Sequence, residues 1–190
     1  DVKLDPHDGS RAIYGTGYGV WMTDTLAAAT RTPAGRVEWR FEVENIEETA
    51  TLEIKSPSGG ATLLAAMGDV SGAAWDDLAK NPSAGLFSPS NETNRSIDAA
   101  ELEPRVLART SDHAPTGGYV SVDGGLNWRP FGPSPRQAAD ARGHRAPTGL
   151  VAVSAKGGFL VWAPERQPAM WSRDKGRSWS RSEGWPDDRS

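Results

Sequence analysis

Val37, Trp39, Phe41 and Val43 are apolar at every second position, the repeat of a strand with one buried face. Most other apolar residues stand in short runs such as Thr62–Met67 and Gly149–Val153. Gly, Pro, Asn or Asp closes each run within a few residues, and these residues make turns. The pattern predicts four successive meanders of short strands. The first uses Val2–Leu4, Ala12–Tyr14, Val20–Thr23 and Val37–Val43; the second uses Thr51–Ile54, Thr62–Ala66, Ala73–Asp76 and a weak outer strand. The third uses Ile97–Leu102, Val106–Arg109, Tyr119–Val122 and Trp128–Pro130; the fourth uses Leu150–Ser154, Phe159–Trp162, Ala169–Ser172 and Ser178–Arg181. Ile97–Glu103 is also compatible with a single helical turn.

The last two meanders carry one pattern twice. Ser121-Val-Asp123-Gly-Gly125-Leu-Asn-Trp128 and Ser172-Arg-Asp174-Lys-Gly176-Arg-Ser-Trp179 both read Ser-x-Asp-x-Gly-x-x-Trp. The chemistry is that of a tight hairpin: the carboxylate accepts from N–H groups of its own turn, the Gly takes φ > 0, and the Trp covers the hairpin base. Asp123 and Asp174 are therefore structural rather than catalytic candidates. The pattern resembles the Asp box of sialidase-type and related β-propellers. The copies start 51 residues apart, at Ser121 and Ser172, a blade-sized repeat. Val20-Trp-Met-Thr-Asp24 is a degenerate copy without the Gly and Trp, and the second meander has none. Four blades, approximately residues 1–45, 46–95, 96–148 and 149–190, do not close a ring, and an open array would leave bare strand edges. The expected fold is all-β, a single partial β-propeller domain over 1–190, cut from a larger propeller.

Composition narrows the class. The 190 residues include 21 Gly, 14 Pro and 8 Trp, with 37% apolar and 24% charged residues, and the mean hydropathy is −0.55. A net charge of −4 without a Lys/Arg stripe disfavours nucleic acid as a partner. No apolar run reaches the roughly 18 residues of a helical membrane span. The absence of Cys excludes thiol chemistry. His7, His113 and His144 are too scattered for a local metal motif, so neither a metal nor a cofactor is expected. The chain begins at Asp1 without an initiator Met, as a mature or excised segment would.

In a four-stranded meander the boxes, as third turns, mark one face. The loops Gly15–Gly19, Gly68–Gly72, Ser111–Gly118 and Pro164–Pro168, with the interblade stretches Asn81–Arg95 and Phe131–Thr148, should gather on the other. The box-less second meander places Gly68-Asp69-Val70-Ser71-Gly72 on that face, after a strongly apolar strand. Apolar surroundings would desolvate Asp69 and raise its pKa, which suits a general acid; a turn-capping Asp is the plainer alternative. Tyr18, in a Gly-rich loop, is the best sugar-stacking candidate, with Trp75 and His113 behind it. Trp21, Trp39, Trp162 and Trp171 fall on strands and are expected to pack between blades. Asn91-Glu-Thr93 and Asn94-Arg-Ser96 fit the glycosylation acceptor pattern.

Leu4-Asp5-Pro6, Ile13–Gly17, Ile46–Ala50, Leu64–Leu78, Ser96-Ile97-Asp98 with Ala100-Glu101-Leu102, and the two boxes together resemble the second propeller of glycoside hydrolase family 74, the xyloglucanases and related β-glucanases. The resemblance implies paired seven-bladed propellers, a polysaccharide cleft with one catalytic Asp from each, and hydrolysis with inversion. It also implies a secreted enzyme acting on xyloglucan or a related β-glucan, and a first propeller that this chain lacks. The Asp69 segment is similar to the family's Gly-Asp-Ile-Gly-Gly-Phe stretch, which makes Asp69 the expected general acid. Ser71, Ala73 and Trp75 depart from it, standing where the family has Gly, Phe and commonly His. Asp112 or Glu165 could stand in for the partner carboxylate, without a motif to support either. A non-catalytic carbohydrate- or protein-binding scaffold is the competing reading. A sialidase is disfavoured, because no Tyr and Glu join a recognisable arginine set.

Overall fold

The computed structural model describes residues 2–17, 19–43, 49–112, 117–134, 148–165 and 167–184. It forms two compact units, Asp1–Glu48 and Thr49–Ser190. The first is one antiparallel sheet in the order β1 (Val2–Leu4), β2 (Ala12–Thr16), β3 (Gly19–Thr23), β4 (Arg40–Phe41). β4 is shorter than the alternating Val37–Val43 run predicts. Glu38 N–H turns to Thr25 Oγ1 at 3.0 Å, which takes the start of the run out of the ladder. A 3-10 helix over Leu26–Thr30 follows the degenerate box. Asp24 pairs there with Arg40 at 2.8 Å and Arg11 at 3.5 Å.

The described residues of the second unit form three sheets. The first is three-stranded: β5 (Thr51–Lys55), β6 (Leu63–Met67) and β7 (Gly72–Trp75). The weak outer strand expected here is a lone bridge between Ala73 and Leu86. The next runs β8 (Ile97–Ala100), β9 (Glu103–Thr110), β10 (Gly118–Ser121), β11 (Arg129–Pro130). The last runs β12 (Leu150–Val153), β13 (Leu160–Ala163), β14 (Met170–Ser172), β15 (Ser180–Arg181). Ile97 therefore opens a strand, not a helical turn.

Each gap between these sheets is filled by side chains from both. Leu64, Ala66, Phe87, Ile97, Ala99 and Leu107 close the first gap. Ala108, Val120, Phe131, Val151, Leu160, Trp162, Met170 and Trp179 close the second. The innermost strands have an unpaired edge, and acidic side chains satisfy it. Glu53 accepts Ile97 N–H at 2.7 Å, and Asp98 accepts Val153 N–H at 2.7 Å. Asp98 also pairs with Lys55 at 3.0 Å.

The repeated pattern acts as its chemistry requires. Asp123 accepts from Asn127 N–H at 2.9 Å and Asn127 Nδ2 at 2.8 Å, and Asp174 from Ser178 N–H at 2.9 Å and Ser178 Oγ at 2.6 Å. Gly176 takes φ 75°, and a Cβ there would meet Val120 at 2.9 Å, so the turn needs glycine for conformation and for space. The two Trp rings reach further than the hairpin base: Trp128 lies 4.9 Å from Phe87 and Trp179 4.8 Å from Phe131, joining the gaps between sheets.

Both carboxyls are held below the usual Asp range. At Asp123 partial desolvation opposes this, and the Asn127 and Ser121 hydrogen bonds outweigh it. At Asp174 the Ser178 hydroxyl is the largest cause. A depressed native pKa adds stability that is present above the unfolded value and lost as pH falls through the native one. Stability in urea should thus fall between about pH 5 and about pH 2, and Asp174→Asn should flatten that slope. An unchanged slope in the variant would contradict the assignment.

Candidate functional site

Antiparallel order fixes which turns share an end of the second unit. The β10–β11 and β14–β15 hairpins, with the repeated pattern, lie at one end; the β6–β7, β9–β10 and β13–β14 connections lie at the other. Backbone bonds tie that second end together: Asn94 N–H to Met67 O at 2.9 Å, Asp112 N–H to Thr93 O at 3.1 Å, and Thr110 N–H to Ser96 O at 2.9 Å.

The β6–β7 turn carries Asp69. Asp69 and Ser71 both adopt left-handed conformations, with φ 63° and 66°. Each such residue costs about 1–2 kcal/mol when it is not glycine, so the surroundings must hold the turn. Gly68 N–H donates to Ala50 O at 2.8 Å, and Ser71 N–H to Glu92 O at 2.7 Å. Asp69 N–H donates to Thr93 Oγ1 at 3.3 Å, and Ser71 Oγ to Pro89 O at 2.7 Å. The Ser71 hydroxyl thus gives serine an anchor where φ > 0 would favour glycine. Gly72 has no alternative, because a Cβ would lie 2.0 Å from Ala65 O.

Beneath the turn is a buried polar layer. Arg109 is wholly buried, its guanidinium 4.5 Å from the Tyr119 ring, 4.7 Å from Trp128 and 5.6 Å from Phe87. It donates to Asn94 Oδ1 and, at 2.9 Å, to Ser88 O. Buried Glu92 accepts from Tyr119 OH at 2.8 Å and Ser111 Oγ at 2.5 Å. Burial lowers the Arg109 pKa to about 10, against the pull of Glu92 and Tyr119. Burial and the Glu92 hydrogen bond together push the Tyr119 phenol well above its usual range.

Asp69 itself is exposed. The desolvation expected of it is not supplied by the described residues, because the apolar run ends at Gly68 and the left-handed turn presents the next residue to solvent. Trp75 is half-buried at the far end of β7, three residues or about 10 Å of strand beyond Gly72. Strand direction thus separates it from Asp69, although the two are close in sequence. Tyr18 and His113 lie outside the described residues. Asp112 joins the Asp69 end, but it is nearly buried and accepts Thr93 N–H at 2.9 Å. Glu165 is exposed, 3.4 Å from Arg95 Nε. Asn94 is fully buried on Arg109, which rules it out as a glycan acceptor; Asn91 is exposed. Among the described residues no cluster of His, Asp and Glu could hold a metal ion.

No family model matches the chain. Whole-chain comparisons do. The chain is 33% identical to a xyloglucanase of a Paenibacillus species over 98% of its own length, and 34% identical to xyloglucanase Xgh74A of Acetivibrio thermocellus over 94%. It superposes on the crystal structure of the family 74 xyloglucanase of Xanthomonas campestris with a TM-score of 0.74 at 32% identity, over 98% of this chain and 26% of that one. The chain belongs to glycoside hydrolase family 74. Niastella koreensis provides a further family 74 match, with a TM-score of 0.68 and 26% identity over 95% of this chain and 23% of that one. The chain spans 18% and 20% of the lengths of the Paenibacillus and Acetivibrio relatives.

The buried layer under the turn is not legible in the sequence. Glu92 stood inside a polar stretch resembling a glycosylation motif, and Arg109 closed a predicted strand. The one available signal was a charged residue at a strand position whose neighbours, Val106 to Ala108, are all core.

Proposed function

We propose that this chain contributes the proton-donating half of a polysaccharide-cleaving site, with xyloglucan or a related β-glucan as substrate and Asp69 as general acid. The observation that carries the reading is the Asp69 turn: an exposed carboxyl in a left-handed conformation, on the end of the sheets opposite the structural hairpins, within a family 74 chain. In the proposed reaction Asp69 gives its proton to the departing glycosidic oxygen as the bond to the anomeric carbon breaks. A carboxylate on the opposite side takes a proton from the water that attacks that carbon, giving inversion when the two stand about 6.5–9.5 Å apart. That second carboxylate is assigned to a first propeller outside this chain. A proton donor must keep its proton at neutral pH, and burial is the usual means. Bound polymer and the facing wall of the cleft would bury Asp69. A polymeric glucan substrate also implies an extracellular site of action.

The isolated chain should therefore release no reducing ends from xyloglucan. A chimera in which it replaces the matching 26% of the Xanthomonas campestris enzyme should release them. Activity of the isolated chain that Asp69→Asn abolishes would overturn the split-site reading. A folded but inactive chimera would instead support a non-catalytic binding scaffold, a reading favoured by the departures at Ser71, Ala73 and Trp75.

A further inference from the structure

Resting on the proposed role of Asp69, we infer that Thr93 and Asp112 are positioning residues that hold the Asp69 backbone in its reactive conformation. The three are linked in series. Asp69 N–H donates to Thr93 Oγ1 at 3.3 Å, Thr93 N–H donates to Asp112 Oδ1 at 2.9 Å, and Asp112 N–H returns to Thr93 O at 3.1 Å. The last two bonds lock residues 93 and 112 as a pair across two successive loops. The first fixes the peptide of a non-glycine residue at φ 63°, a conformation that Asp visits more readily than most residues but that glycine adopts at least cost. Ser71 N–H on Glu92 O, at 2.7 Å, ties the other limb of the turn to the same stretch. Asp112 is nearly buried. One oxygen of its carboxylate accepts Thr93 N–H, the role of a holder and not of a second catalytic group.

Placement errors of about 1 Å can reduce turnover on the order of a hundredfold while substrate contacts survive. In the active chimera, Thr93→Val should lower kcat by about tenfold or more and leave KM within about twofold, and Thr93→Ser should recover most of the loss. Asp112→Ala should act in the same way, and Asp112→Asn, which keeps an acceptor for Thr93 N–H, should be milder. The Thr93→Val and Asp112→Ala losses should not add, because they break one chain of bonds. In the 190-residue chain itself, Thr93→Val should speed hydrogen exchange at the Asp69 amide about tenfold, with the amides of β9 unchanged. If Asp69→Asn abolishes activity while Thr93→Val leaves kcat and the Asp69 amide as they were, the positioning role is wrong and the general-acid reading stands. If Asp69→Asn leaves activity intact, the general-acid reading itself fails.

Discussion

Asp69→Asn, made in the xyloglucan-cleaving chimera, is expected to lower kcat by about 10²- to 10⁴-fold, the usual contribution of a positioned general acid, with little change in KM. Asparagine keeps the size of the side chain and the amide that donates to Thr93. It also tolerates left-handed φ better than most residues, so the 63° angle should survive. Because the side chain is exposed, thermal stability should not change by more than about 0.5 kcal/mol. The substitution removes the transferable proton and nothing else that holds the turn. A loss smaller than about tenfold would mean that a different group protonates the leaving oxygen.

Trp162→Ala should produce the largest change in stability, about 3–5 kcal/mol of unfolding free energy by urea titration. The ring is 2% exposed and stands between Phe131 at 5.5 Å and Trp179 at 5.7 Å. It therefore belongs to the gap between the last two sheets rather than to one of them. Its Nε1 donates to Thr148 O at 2.7 Å, and truncation would strand that buried carbonyl as well as open a cavity. Collapse is hindered because one side of the ring is backbone: a Cβ on Gly117 would lie 2.3 Å from it. Trp162→Phe should lose clearly less. A loss below about 1 kcal/mol for the alanine variant would mean that the gap is not packed as described.

The strand order was legible because its signals are local. Alternation and short apolar runs located β1, β2, β3, β5, β6 and β7 to within a residue or two, and the repeated Asp, Gly and Trp located two hairpins. The end of the sheets bearing Asp69 was also legible, since antiparallel order alone separates it from those hairpins. The layer under the turn was not. Glu92, Thr93, Arg109 and Asp112 are held in it by contacts 15 to 27 residues apart in the chain, and nothing in their spacing announces this. The exposure of Asp69 is hidden for a similar reason: the apolar residues before Asp69 bury β6, but the left-handed turn carries Asp69 itself out of their reach. Trp75 shows the same limit, six residues from Asp69 in sequence yet at the opposite end of its strand.

The general-acid assignment is tested most directly by the leaving-group dependence of Asp69→Asn. The chimera and its variant would be compared on a xyloglucan oligosaccharide and on the matching aryl glycoside of a strongly acidic phenol. An acidic phenol departs without help, so protonation matters only for the sugar leaving group. A kcat loss of about a hundredfold or more is expected on the oligosaccharide and of only a few-fold on the aryl glycoside. Equal losses on both substrates would show that Asp69 does not protonate the leaving oxygen.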